Sequence, residues 1–567
     1  MAVEFTQDHL ALTVSTPLGQ DTLLLTRIRG EERLSGLFRF TLEMTSEDSN
    51  LDFDRIVGQN VTVTLELATG TKRYFNGIVG RFVQAGRDAR CTTYYAELYP
   101  WLWLLTMTRD CRIFQNQSVP NIIESIFSEL GFTDYKNALS ATYTARDYCV
   151  QYQESTYDFV SRLMEDEGIF YFFEHEKGKH TLVLADDADA HANCPGQATV
   201  RWASWFPSRH NEDVITHCTL AQQVIPNAYA LDDFNFETPS TDLLVTAQSA
   251  EGQRRLYDYP GGFTKRETGE QMANKRLEAR ELPQKLLRGD GFCSTFAAGY
   301  KFTLSGHNRD DVNGAYVLRW VSHTATPERY ANSFEAFPTT VPFRPPHVTA
   351  KPVIVGSQTA LVVGKKGEEI WTDKYGRVKV QFPWDQKGKN DENSSCWVRV
   401  AQGWAGKGWG TLFVPRIGTE VVVSFLEGDP DRPIITGTVY NAQQTVPYVL
   451  PDEQNKSTIK TRSTKQGQAG NEIRFDDAKD AEELFVHAQK DLKLDVENDY
   501  QLDVKAGNET HNVKGTRDLA VTGNETHVNQ ADHTHQVSGD CILKVKGNLT
   551  IEAQGEVTIK GSMIKLN

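Results

Sequence analysis

The chain has 567 residues, of which 39% are hydrophobic, 10% aromatic and 24% charged. That suits three or four folded domains with ordinary cores. A formal net charge of −15 speaks for solubility and against a nucleic-acid partner, which needs a basic stripe.

Eight cysteines, at 91, 111, 149, 194, 218, 293, 396 and 541, form no C-x-x-C pair. They read as reduced thiols rather than a disulfide framework or a zinc site. No lysine or arginine precedes Arg27, so the charged start of a secretory signal is absent. The apolar runs 101–105 and 169–173 are too short to span a bilayer. If the protein leaves the cytoplasm, something other than the general export route carries it.

Residues 1–100 read mostly as strands. Val61, Val63, Leu65 and Leu67 alternate with polar neighbours, the period of a half-buried strand, and 77–80 and 94–99 continue the theme. Two helices interrupt it. The first opens at Ser118 with Pro120 in its first turn, carries Ile122, Ile123, Ile126, Phe127 and Leu130, and stops at Gly131. The second opens on the Ser155/Asp158 capping pair, carries Phe159, Val160, Leu163 and Met164, and ends at Gly168. A strand at 169–173 follows, and strands dominate again to about residue 340.

Pro342-Phe343-Arg344-Pro345-Pro346 reads as a proline-rich hinge and domain boundary. Beyond it lie five strand-like runs, 377–382, 396–402, 410–414, 419–426 and 433–440, separated by glycine- and proline-rich turns. Five short strands in this span suit a Greek-key barrel of the OB type. A polar linker, 446–483, leads to the last stretch.

From 484 to 567 an eight-residue period runs almost unbroken. Glycine marks the beat at Gly507, Gly515, Gly523, Gly539, Gly547 and Gly555, with Ala531 at the missing one. Four and six residues after each beat come mostly apolar residues or histidine. They include His511 and Val513, Leu519 and Val521, His527, His535 and Val537, Leu543 and Val545, Ile551, and Ile559. Positions two apart share one face of an extended chain, so each octad offers a short inward stripe and then a turn. Upstream the pattern is out of phase by one, the slip lying between Leu502-x-Val504 and His511-x-Val513. Such a unit buries its face only by stacking on neighbours. The expected solution is a prism of three chains; the alternative is an antiparallel meander with glycine turns. Val513, Leu519, Val521, Val537, Leu543, Val545, Ile551 and Ile559 are the expected trimer core.

Candidate chemistry is sparse. His175-Glu176-Lys177-Gly178-Lys179-His180 has one residue too many for a helical zinc-protease motif, and its glycine breaks the helix; it reads as a solvated hairpin. Glu165-Asp166-Glu167 closes a helix and reads as packing or an interface, not a catalytic pair. The run 403–410 fits neither the phosphate-loop nor the dinucleotide spacing and reads as a structural turn closing a barrel. No G-x-S-x-G occurs. On a three-chain axis, His511, His527 and His535 would each be threefold. Imidazole rings there suit a metal, an anion or a water, or stand as neutral core residues around trapped water. The neutral core is the expectation, and no cofactor is expected.

Several passages carry a family resemblance together. They are Cys111-Arg112-Ile113-Phe114-Gln115-Asn116, Tyr148-Cys149-Val150-Gln151-Tyr152 and the run from Asp158 to Glu165. In the second half they are Asp373-Lys374-Tyr375-Gly376-Arg377-Val378-Lys379-Val380, Pro415-Arg416-Ile417-Gly418-Thr419-Glu420-Val421 and Glu427-Gly428-Asp429-Pro430-Asp431-Arg432-Pro433. In this order, and followed by octads, they resemble the VgrG (valine–glycine repeat) spike proteins of type VI secretion. Those are similar to the fused hub and spike of contractile phage tails.

The resemblance implies a mainly β homotrimer. Its parts are a hub of barrel-like domains with a few helices (1–345), an OB-fold neck (346–445), a linker (446–483) and an intertwined triple-stranded β-helix needle (484–567). It also implies a puncturing tip mounted on the Hcp tube, seated among baseplate proteins, capped by a PAAR-repeat protein and carrying effectors or their adaptors. Such a tip stays in the cytoplasm until firing. The apparatus then exports it without a signal peptide, and it pierces the target membrane transiently without stable insertion. The expected cap-docking residues are Met563, Ile564, Lys565, Leu566 and Asn567. No toxin domain is expected after the needle and no lysozyme between neck and needle, so the protein is expected to be mechanical rather than an enzyme. The competing readings are a spike with a hidden cell-wall-degrading activity and the hub of a phage-tail-like particle.

Overall fold

A computed structural model describes residues 5–67, 70–203, 212–249 and 252–566. The chain divides into two compact units, Met1–Gln489 and Lys490–Asn567.

The first unit begins with two sets of six strands, joined where one strand of each pairs with the other. Asn60–Glu66 alternates as expected, burying Val61, Val63 and Leu65. It pairs with Leu12–Ser15 and with the long strand Lys72–Arg87. Thr92–Tyr99, Arg39–Ser46 and Leu24–Arg33 complete the first set of six. Gly30 lets Leu24–Arg33 lie close on its neighbour, because a Cβ there would come 2.2 Å from the Arg39 carbonyl oxygen. The second set is a closed ring. Gly314–Thr326 pairs through Lys301–Ser305, Thr199–Trp202, Val214–Gln222, Lys285–Gly291 and Arg329–Pro338 back to itself. Residues 320–325 of that strand also pair with 28–33 of the first set.

The two expected helices form: α1 (Val119–Glu129) and α2 (Thr156–Glu167). The Ser155 hydroxyl caps α2 by accepting from the Asp158 N–H at 3.0 Å. Gly168 ends it at φ +69°, the left-handed conformation glycine adopts without strain. A third helix, α3 (Arg266–Glu281), interrupts the region where strands were expected to dominate. Its buried face is only Gly269, Ala273, Leu277 and Ala279, too small a stripe to show as helical periodicity. It lies on the sheet of Ala228–Leu231, Val245–Gln248 and Arg255–Asp258.

The neck has five paired strands: Gln358–Val363, Lys379–Gln381, Arg399–Val400, Glu420–Phe425 and Pro433–Val439. They close on a core of Val362, Val378, Val380, Phe382, Val398, Val421, Val423 and Ile435. Four of these strands fall within expected runs. The fifth expected run, 410–414, is instead the exit of a turn in which Gly410 bridges Ala405 and Trp404 packs edge-on to Trp409 at 5.0 Å. The strand that takes its place, Gln358–Val363, lies upstream of the first expected run.

The stretch expected as a linker is more than connection. Lys456–Lys460, Glu472–Asp476 and Glu483–His487 form a three-stranded antiparallel sheet.

In the second unit the backbone bends at 514–515, 522–523, 530–531, 538–539, 546–547 and 554–555, at the glycine or alanine beats. Between the bends at 497–498 and 506–507 the step is nine residues, the phase slip seen in the sequence.

Candidate assembly site

Within Lys490–Asn567 no described residue is buried. All eight expected trimer-core residues stand in solvent in the single chain, from Val537 at 44% exposed to Leu543 at 71%. Extended octads separated by bends leave no inward partner within one chain. Met563, Ile564 and Leu566 are exposed as well, Leu566 at 91%, and Lys565 with them; Asn567 lies outside the described residues.

The histidines have company that reading the octads at four and six residues from the beat missed. His511 Nε2 lies 2.6 Å from Glu509 Oε1, and His527 Nε2 lies 2.6 Å from Glu525 Oε1. The sequence signal is the repeated Asn-Glu-Thr-His at 508–511 and 524–527, which puts a carboxylate two residues before each ring on the same face. At His535 that place is taken by His533. Among the described residues no group of three or more His, Cys, Asp or Glu side chains is placed to hold a metal ion, and no helix is long and apolar enough to cross a membrane.

The histidine pair at 175 and 180 needs correction. The hairpin exists, Phe170–Glu176 pairing with Lys179–Ala185, but its histidines are not solvated: His180 is 2% exposed. The strand period turns both rings inward against Phe38, 4.9 and 5.4 Å away. His175 Nδ1 accepts from the Asn76 N–H at 3.1 Å. His180 Nε2 accepts from the Trp101 N–H at 2.8 Å, and its Nδ1 meets Asn76 Oδ1 at 2.8 Å. Burial lowers the pKa of His175 to about 4 and of His180 to about 3.

Beside them, where the two six-stranded sets pair, Glu32 lies 2.9 Å from His323 Nε2 and 3.2 Å from an Arg73 nitrogen. Burial works to raise the Glu32 pKa, but the His323 bond and the Arg73 charge more than offset it, so the carboxylate stays ionised. This is a joint of paired charges inside a core.

The expected hinge is pinned. Phe343 is buried against Phe170 and Phe337. Arg344 donates to Glu278 at 2.8 Å and to the Gly168 carbonyl at 3.3 Å. The acidic end of α2 fastens the segment just beyond this hinge. Glu165 accepts from the N–H groups of Val348 and Thr349 at 3.0 Å each, Asp166 meets His347 at 3.6 Å, and Asp166 and Glu167 share Arg146. Lys351 bridges Asp429 and Asp431 at 2.6 and 2.7 Å, and Asp431 also accepts from the Val150 N–H at 2.6 Å. Arg432 reaches back to Asp233 at 2.9 Å. Hub and neck are thus locked by ion pairs and hydrogen bonds to buried and half-buried acids.

Two six-stranded sets joined by a strand pairing, a five-stranded neck barrel locked to them and a run of octads exposing their apolar stripe define a hub-and-spike protein of the contractile-injector class. Family models match accordingly: the phage tail baseplate hub over 31–328, the type VI secretion system/phage-baseplate injector OB domain over 361–440, and the bacteriophage T4 gp5 C-terminal trimerisation domain over 457–563. The chain is 46% identical over 502 residues to the type VI secretion system spike protein VgrG1a of Pseudomonas aeruginosa, covering 86% of this chain and 78% of that one. It is 44% identical over 509 residues to VgrG1b of the same organism, covering 87% and 69%. The solved E. coli c3393 protein, a type VI component described as similar to phage T4 tail proteins gp27 and gp5, shares the fold. Its TM-score is 0.56 at 22% identity, over 76% of this chain and 99% of that one. The chain belongs to the VgrG family of type VI secretion spike proteins.

Proposed function

We propose that three copies of this chain form a puncturing spike, with 1–345 as hub, 346–445 as neck and the octads as a triple-stranded needle. The observation that carries this is the exposed, periodic apolar stripe from Val513 to Ile559, which one chain cannot bury and three can. The hub mounts on an Hcp tube among baseplate proteins. Met563, Ile564, Lys565, Leu566 and Asn567 dock a PAAR-repeat cap, and effectors or adaptors ride on the assembly. The spike waits in the cytoplasm and is exported by the apparatus on firing. Its work is mechanical: the buried histidines and carboxylates of the hub are tied into structural bonds, and the locked hub–neck joint transmits thrust. Sedimentation equilibrium of the purified chain tests the reading. A trimer at micromolar concentration is expected, and a well-folded monomer would end it.

A further inference from the structure

The sheet at 456–487 is inside out. Its register stacks Ile459, Ile473 and Val486 in one row and Ser457, Phe475 and Leu484 in the next, all on one face. Every one of these residues is exposed, the five apolar ones between 43% and 63%. The other face, which carries the charges, is finished within the chain. Lys460 pairs with Glu472 at 3.2 Å, Arg474 pairs with Glu483 and lies over the Phe485 ring at 4.6 Å, and the Tyr448 hydroxyl donates to Glu472, which is buried. A sheet that pairs the charges of one face within the chain and leaves its apolar face bare is built to meet something apolar.

The occupant is a second and third copy of this chain. The trimerisation-domain match begins at residue 457, inside this sheet, so the bare face belongs to the same family segment as the octads. The octads also need such an element. Beyond the nine-residue step the octads repeat so evenly that chains pair almost as well after a slip of one whole unit, because turn returns to turn and stripe to stripe. A non-repeating sheet has one way to meet its copies. We propose that 456–487 is a collar whose apolar faces close on one another around the threefold axis and set the register of the needle. This inference rests on the three-chain reading and adds to it the element that aligns the chains.

Cys541 stands two residues before Leu543 on the inward face and reads the register. In aligned chains identical residues stand at one level, so diamide, which takes up the two electrons, oxidises two of the three Cys541 thiols to a disulfide, and peptide mass mapping identifies the link. In the full-length chain, Ile473→Lys with Phe475→Lys should cut this link at least tenfold relative to the wild type. An unchanged link and unchanged melting overturn the proposal and leave the face to another partner, such as cargo.

A second experiment leaves the collar intact and keeps the test decisive if the double variant fails to fold. Wild-type chains are co-expressed with tagged chains lacking residues 516–523, one octad. Alignment at the collar leaves the shortened chain's Cys541 one octad out of step, so links between unlike chains should be lost while links between like chains persist. Unlike-chain links as abundant as like-chain ones would show that the needle aligns itself. A wild-type chain that sediments as a monomer removes the three-chain reading as well, a failure distinct from a trimer whose register ignores the collar.

Discussion

Glu165, in the last turn of α2, accepts from the Thr349 hydroxyl at 2.7 Å with one carboxylate oxygen and from the Thr349 N–H at 3.0 Å with the other. A helix in the hub thereby holds the first residues of the neck. Carboxylates near a helix C-terminus are slightly unfavourable to its dipole, and burial raises the Glu165 pKa against the pull of these same bonds. The residue is kept where helix electrostatics disfavour it, which fits a fastening role. Glu165→Ala leaves two backbone N–H groups without their acceptor, a loss on the order of 2 kcal/mol. The expected result is faster protease cleavage near 346–350 with the hub still folded. Cleavage at the wild-type rate would show that the other contacts of the joint suffice.

Acid should loosen the hub through its buried imidazoles. His175 and His180 have folded-state pKa values of about 4 and about 3, below the ordinary imidazole value, because burial disfavours the charged ring. The unfolded chain therefore takes up these protons first as pH falls. The stabilisation is whole above about pH 6.5 and is lost as pH falls towards about 4 and then 3. Each ring contributes a slope of about 1.4 kcal/mol per pH unit in that window. His175→Gln should flatten the fall in hub stability between pH 6.5 and 4 by that amount relative to the wild type. Denaturant melts at stepped pH measure it, and parallel slopes would contradict the assignment.

The parts of the fold legible in the sequence are those where a local signal and a tertiary demand agree. The caps Ser155 and Gly168 act where the pattern places them, and the octad beats and their slip reappear as bends of the backbone. Three of the passages that carry the family resemblance meet in space: Val150, Glu165, Asp431 and Arg432 all serve the hub–neck joint. The features not legible depend on distant partners. α3 shows a stripe of small residues that only its sheet explains. The His175–His180 hairpin looks solvated until Phe38 and Asn76 are placed against it. Glu509 and Glu525 look like surface acids until the same-face rule puts them beside histidines.

The Glu525–His527 contact changes what a substitution in the needle should do. A lone inward ring could be replaced by valine at little cost, whereas a paired one leaves a carboxylate stranded. His527→Val should therefore lower the melting temperature of the assembled protein, and adding Glu525→Leu should restore most of it. The interaction energy from the double-mutant cycle is the readout. Additive effects would mean the two side chains do not meet in the assembly. Elemental analysis of the wild-type protein in parallel should find no stoichiometric metal.

The octad period fails at residue 563, where methionine stands eight residues after Gly555. Ile564 and Leu566, again two apart on one face, come next, both exposed. A stripe that continues after its turn residue has been replaced is shaped for a different neighbour than the octads have. A strand edge carrying apolar side chains favours a partner that adds to the edge and covers them. Ile564→Lys with Leu566→Lys should therefore weaken binding of the proposed PAAR-repeat cap at least tenfold and reduce export, while sedimentation still finds a trimer, since the stripe from Val513 to Ile559 proposed to turn inward is untouched. Titration of the purified cap onto wild-type and doubly substituted spikes separates the possibilities. Equal affinity would place the cap elsewhere, and loss of the trimer would assign these residues to the needle's own core.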